Sequence, residues 1–238
     1  LDISNFNTNN VVDMREMFNG SQKLKRLDIS KFNVEEVVDM SNMISYCYSL
    51  EELDLSSFYT KNLRDMKGMF LYCMAMTSLN TKNFNTQKIT DFSNLFSNCQ
   101  KLISIDLSNS DTSKATSFYG MFQNCDTITS LDVSNLNTSQ VENMANLFMN
   151  CVSLTSLDLR NFDTRKTANM YGMFSFMLKL EYLDLSKFDT SNAFDMISMF
   201  QYCSSLKSLD LSKFQTEKIP QMFQMFQWHA LTLDLLLV

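Results

Sequence analysis

The sequence predicts an α/β repeat solenoid, with one short parallel β-strand and one short helix in every 26-residue unit, and three observations predict it. One motif, Leu-Asp-Leu/Ile-Ser or a close variant, recurs without insertion, starting at Leu1, Leu27, Leu53, Leu79, Ile105, Leu131, Leu157, Leu183 and Leu209. Within it, Leu157-Asp158-Leu159-Arg160 alternates apolar and polar, the period of a strand with one buried face. Further on, Val37, Met40, Met43, Ile44 and Cys47 fall at spacings of three and four, one stripe of a helix.

Each element of the unit follows in order. After the strand comes Phe162, then the polar turn Asp163-Thr164. Asp39 precedes Met40 in the first turn of the expected helix, where a carboxylate meets the positive end of the dipole. Leu50 then leads into the next strand. Strand, helix and parallel strand make a crossover connection, so the repeat predicts a parallel sheet on one face and a row of helices on the other. Leucine-rich repeats are laid out in this way, with units of roughly 20–29 residues. A unit this short buries its apolar face only against its neighbours, which lines identical side chains up in columns. The expected organisation is a single solenoid domain over 1–234 with nine repeats, ending in a degenerate segment, 229–238. At about 4.8 Å per strand, nine units span on the order of 40 Å.

The columns account for an odd composition. Of 238 residues 45% are apolar, with 20 Phe and 18 Met but only 4 Gly and 1 Pro. Met14, Met40, Met66, Met144, Met170, Met196 and Met222 share one position of the unit, and Met17, Met43, Met69, Met121, Met173, Met199 and Met225 another. Phe18, Phe70, Phe96, Phe122, Phe148, Phe174, Phe200 and Phe226 form one phenylalanine column; Phe6, Phe32, Phe58, Phe84, Phe162, Phe188 and Phe214 form a second. A core with sulfur–aromatic packing is the preferred reading over a metal or ligand box. The net charge of −6 argues against nucleic acid, whose phosphates need a basic face. The chain contains no run of about 18 apolar residues that would span a membrane. It begins at Leu1 rather than Met, as expected of a mature product or an excerpt of a longer protein.

All six cysteines, Cys47, Cys73, Cys99, Cys125, Cys151 and Cys203, occupy one position of the unit. Disulfides between adjacent rungs, a zinc site and a ladder of buried reduced thiols compete. The absence of C-x-x-C pairs disfavours zinc, and Met177 in the same slot favours the reduced ladder. No catalytic residues are assigned: His229 is the single histidine, no triad assembles around it, and four glycines make no phosphate loop. Neither a metal nor a cofactor is expected. The candidate binding residues are the acidic column Asp2, Asp28, Asp54, Asp106, Asp132, Asp158, Asp184 and Asp210, which alternation places on the exposed sheet face. Like charges about 5 Å apart repel; hydrogen bonds to turn amides, neighbouring serines, cations or a basic partner are the offsets. Only Asn80 interrupts the column, in a fourth copy reading Asn80-Thr81-Lys82, a binding spot or simple drift. Thr8, Thr60, Thr86, Thr112, Thr138, Thr164, Thr190 and Thr216 are expected to cap helix amides or hydrogen-bond between copies. Tyr46, Tyr72, Tyr202 and Trp228, with Phe176, share the position before the cysteine and are candidate aromatic contacts; Tyr119 and Tyr171 share another.

The stretches Leu-Asp-Leu-Ser-Lys-Phe-Asp-Thr-Ser-Asn (183–192) and Ser-Leu-Lys-Ser-Leu-Asp-Leu-Ser-Lys-Phe (205–214), with Met-x-x-Met-Phe-x-x-Cys between motifs, resemble the BspA-like leucine-rich-repeat surface proteins of bacteria, a repeat also found in mycoplasma surface lipoproteins. The resemblance covers nearly the whole chain. It implies an extracellular or cell-surface, non-enzymatic protein that binds host matrix, other cells or itself, and it carries over no catalytic residues. The leading expectation is thus an adhesion or protein-binding module presenting ladders of identical side chains. The alternative is a structural element assembling into a filament or surface layer through ends that read as uncapped.

Overall fold

The computed structural model describes residues 3–227 and 234–236. Each unit contributes at most three residues of strand: β1 (Glu52–Asp54), β2 (Ser78–Asn80), β3 (Ser156–Leu157), β4 (Tyr182–Leu183), β5 (Ser208–Asp210) and β6 (Asp234–Leu236). All pair in parallel, β1 with β2 in one sheet and β3-β4-β5-β6 in a second. Leu53 faces Leu79 and Leu157 faces Leu183, so the sequence period is the register of the stack. Alternation holds: buried Leu53 is flanked by exposed Glu52 and Asp54.

The second half of the unit corrects the expected helix. Among the described residues there is no α-helix. Across Met40–Tyr46, alternate amides donate to the next rung instead of back along the chain: Met40 to Asp65 O at 2.9 Å, Asn42 to Lys67 O at 2.9 Å, Ile44 to Met69 O at 3.0 Å and Tyr46 to Leu71 O at 2.7 Å. The intervening amides close tight turns, Met43 to Met40 O and Ser45 to Asn42 O, both at 3.1 Å. Asn42 and Tyr46 have φ of +52° and +58°, left-handed values that an α-helix does not admit. Asn42 is the third residue of the Met40–Met43 turn, where a type II turn needs positive φ. Such turns return side chains inward at spacings of three and four, so Met40, Met43, Ile44 and Cys47 are buried without helical geometry. Parallel bridges on this side, Asp13 to Asp39 to Asp65 and Asp91 through Ser117, Asn143 and Asn169 to Asp195, complete a second ladder.

Between the ladders lies the core. Phe70, Phe96, Phe122, Phe148, Phe174, Phe200 and Phe226 form an unbroken stack with ring centroids 5.7–6.0 Å apart and planes within 13° of parallel. This is near the offset arrangement that aromatic quadrupoles favour. The second column stacks as well, Phe6 on Phe32 and Phe58 on Phe84. Met40, Met43, Met69, Met144, Met170, Met173, Met196 and Met199 are fully buried beside them. No helix is long and apolar enough to cross a membrane among the described residues.

Candidate interaction surface

Three positions of the unit turn corners with the same device, an acidic or amide side chain whose Oδ1 accepts the amide two residues on. At the first corner these pairs are Asp28–Ser30, Asp54–Ser56, Asp106–Ser108, Asp132–Ser134, Asp158–Arg160, Asp184–Ser186 and Asp210–Ser212, at 2.8–3.1 Å. Asn80 does the same for Lys82 at 3.2 Å. The second corner carries Asn33, Asn85, Asp111, Asn137, Asp163 and Asp189. The third carries Asp39, Asp65, Asp91, Asn143, Asn169 and Asp195. These Asx turns supply the conformations that glycine and proline would otherwise provide.

The predicted acidic column is therefore exposed and locally satisfied. Hydrogen bonds from the residue two places on hold each described carboxyl of the column below the ordinary value: the side chain first for Asp28, Asp106, Asp132 and Asp210, the amide first for Asp54 and Asp184. Asp158 goes furthest, to about 2, because the Arg160 guanidinium pairs with it at 2.6 Å. Asp2, Trp228 and His229 lie outside the described residues.

The threonine column bonds between copies. Buried Thr138 Oγ1 donates to Asp163 O at 3.0 Å and accepts the Asp163 amide at 2.7 Å. Thr8, Thr60, Thr112, Thr164 and Thr190 repeat the pair one rung along. The cysteines are free and buried. Each thiol donates to a carbonyl of the preceding rung, as Cys99 to Phe70 O at 3.2 Å and Cys151 to Phe122 O at 3.2 Å. Burial pushes the Cys99, Cys151 and Cys203 thiols up to about 12 and Cys47 to about 11, which leaves them protonated and unreactive.

Of the aromatic candidates, Tyr46 stacks on Tyr72 at 5.0 Å with Tyr48 edge-on to both, and Tyr202 stacks on Phe176 at 4.5 Å. The two pairs are half-buried. Between them the same position holds Asn98, Asn124 and Asn150, whose amides form a ladder at 2.8 Å per step. Every residue of this column from Tyr46 to Tyr202 has positive φ, a backbone that asparagine tolerates readily, while the aromatics that hold it stack on one another across the rungs. A second left-handed column runs Asn42, Gly68, Asn94, Gly120, Asn146, Gly172. A Cβ on Gly68, Gly120 or Gly172 would lie 2.5–2.7 Å from the Oδ1 of the asparagine one rung before. Neither left-handed column emerges from the apolar period; the glycines at every second unit are the signal that could have revealed one.

One rung pair departs from the stack. The third residue of the unit is Ile, Leu or Val in every other described copy, but Thr81 in the fourth; the sixth is Phe or Leu, but Ser110 in the fifth. Both line a cavity of about 140 Å³ floored by buried Phe70, Phe96 and Leu107. The exposed Asn80, Lys82, Asp106 and Asn109 rim it on the sheet side, where the strand ladder between β2 and β3 lapses. At about 24 cal/mol per Å³, such a void costs on the order of 3 kcal/mol when empty.

Three overlapping stretches, 1–81, 74–182 and 153–234, match the family described as "Mycoplasma protein of unknown function, DUF285". No curated protein matches the chain significantly. Among solved structures, the chain is similar to a leucine-rich repeat protein from Bacteroides ovatus ATCC 8483 (14% identity, 92% of this chain and 70% of that one, TM-score 0.34). It is also similar to a leucine-rich cell surface protein from Faecalibacterium prausnitzii A2-165 (16%, 74% and 65%, TM-score 0.33). A third is the leucine-rich repeat protein of T. pallidum (15%, 77% and 75%, TM-score 0.34).

Proposed function

We propose that this chain, which belongs to the mycoplasma protein family of unknown function DUF285, is a surface-exposed, non-enzymatic protein-interaction module. Its partner is a protein of the host matrix, of another cell or a second copy, engaged along the sheet-side face. The observation that carries this reading is the column Asp28, Asp54, Asp106, Asp132, Asp158, Asp184 and Asp210, exposed on every rung from the second to the ninth except the fourth, where Asn80 stands, and each fixed by its own Asx turn. Carboxylates already locked in place cost little further side-chain entropy on binding. Their repetition suits a partner that offers several basic groups at once, where multivalency multiplies weak contacts.

The test separates charge from structure. Replacing Asp106, Asp132 and Asp184 by Asn keeps each Oδ1 acceptor, as Asn80 already does for the Lys82 amide. The triple variant should melt with the parent, yet bind immobilised matrix proteins or cells about tenfold or more weakly at low salt. Undiminished binding by the variant refutes the assignment to this face. The self-assembly reading is decided by sedimentation velocity: growth with concentration makes another copy the partner, and a monomer at all concentrations removes it.

A further inference from the structure

We propose that the cavity between the fourth and fifth rungs is a binding site for a single aromatic ring carrying a hydrogen-bonding substituent. Two core positions lose their apolar side chains on consecutive rungs, at Thr81 and Ser110, and the losses open into one space of about 140 Å³. Enclosed apolar space of about this size, 150 Å³ in an engineered case, admits benzene. The interior chemistry selects an aromatic occupant. Phe70, Phe84, Phe92 and Phe96 line the cavity with aromatic side chains, and Met66 and Met121 with thioethers. The opening selects the substituent. The half-buried Thr81 and Ser110 bring hydroxyls into the lining, and Asp106 and Lys82 stand on the rim as acceptor and donor. A phenol-type ligand thus buries its ring and keeps its polar atom among groups that pair with it.

Elsewhere along the stack these positions are filled. Leu55 and Leu107, in the same position as Thr81, are buried, as are Phe84 and Leu136 in the position of Ser110. The site is therefore a local exception in a periodic molecule and shares only Asp106 with the acidic column.

The experiment titrates phenol, and separately N-acetyltyrosinamide, into the protein with ¹³C-methyl methionine labels. Saturable shifts confined to the Met66 and Met121 methyls are expected, with Met43 and Met199, in the same column as Met121 but on distant rungs, unmoved. Phenol alone producing them supports a free small molecule as ligand; both compounds producing them supports a tyrosine side chain of a partner. Neither producing them at tens of millimolar, or equal shifts at Met43 and Met199, overturns the site. Thr81→Leu with Ser110→Phe restores the repeat and fills the space. It should raise the melting temperature and abolish the phenol response, whereas the parent gains about 3–5 °C at ten times Kd. A folded, filled variant that still responds to phenol also overturns it. If the double variant does not fold, Thr81→Leu alone, at least halving the methyl shifts, decides the same point. An Asp132→Asn, Asp184→Asn variant, which leaves Asp106 on the rim untouched, should retain the methyl shifts, so failure of the acidic-face reading does not carry this one with it.

Discussion

Gly120→Ala is the substitution that tests the rung-to-rung geometry most directly. Gly120 has a φ of +58°, and a Cβ there would sit 2.7 Å from Asn94 Oδ1 and 3.0 Å from Gln123 Oε1. Two costs are separable. Placing alanine in the left-handed region costs about 1 kcal/mol relative to glycine. Moving the Asn94 amide away means leaving its rotamer, another ~1 kcal/mol. The backbone alone does not demand glycine at this position, since Asn42, Asn94, Asn146 and Ser198 hold the same positive φ with side chains. What demands it is the asparagine on the previous rung. Gly120→Ala should therefore destabilise by about 2 kcal/mol in urea melts followed by circular dichroism, but by only about 1 kcal/mol in an Asn94→Gly background. Gly20 is the internal control: its φ is +72° and nothing lies within 4 Å of its would-be Cβ. Gly20→Ala should cost the backbone share alone. A Gly120→Ala cost that is the same in both backgrounds would show that the asparagine does not press on the next rung.

Three further outcomes follow from the ladders. Thr138→Val removes the partner of the Asp163 amide and should cost about 1–3 kcal/mol in the same melts, with Thr138→Ser recovering more than half; equal losses for the two would point to packing. Phe122→Ala removes a fully buried ring stacked at 5.8 Å on both Phe96 and Phe148; a loss of about 3–5 kcal/mol is expected, and one under 1 kcal/mol would deny that the stack carries the core. The third outcome concerns pH. Burial raises the Cys99, Cys151 and Cys203 thiols from 9.0 to about 12 in the folded chain. A folded pKa above the unfolded one gives stability that is complete below about pH 9 and lost as pH rises toward 12. Urea melts should weaken by about 1.4 kcal/mol per thiol per pH unit in that window, and Cys99→Ala should shed one proton's share of the slope. A flat response from pH 9 to 11 would place the thiols in water.

The stack was legible in the sequence for a physical reason: rungs in register force every buried position to repeat, and the phenylalanine, methionine, threonine and cysteine columns are the record of it. The helix was misread for an equally physical one. Turns with a left-handed third residue return side chains to the core at spacings of three and four, so the apolar stripe of Met40, Met43, Ile44 and Cys47 is the same for both geometries. What distinguishes them is chemistry between the apolar positions. A helix has no use for Asn42, Gly68, Asn94, Gly120, Asn146 and Gly172 at one recurring place, whereas a left-handed corner does. The acidic column was correctly read as exposed at its described positions, but alternation does not show that each carboxylate also closes its own turn. That takes the amide two residues on, supplied by Ser30, Ser56 and Arg160 alike.

The rung-pair cavity marks the limit of reading units one at a time. Thr81 is conspicuous within its copy, and Ser110 is a separate lapse within the next. In the fold, position three of one rung and position six of the following rung border one volume. A single loss would leave a void that neighbours partly close, whereas two adjacent losses leave room for a ring. A repeat that otherwise keeps these positions apolar thus opens its core at one place, and at that place polar groups stand at the rim. The pairing of the two losses, more than either alone, is what makes the cavity a site rather than a packing defect.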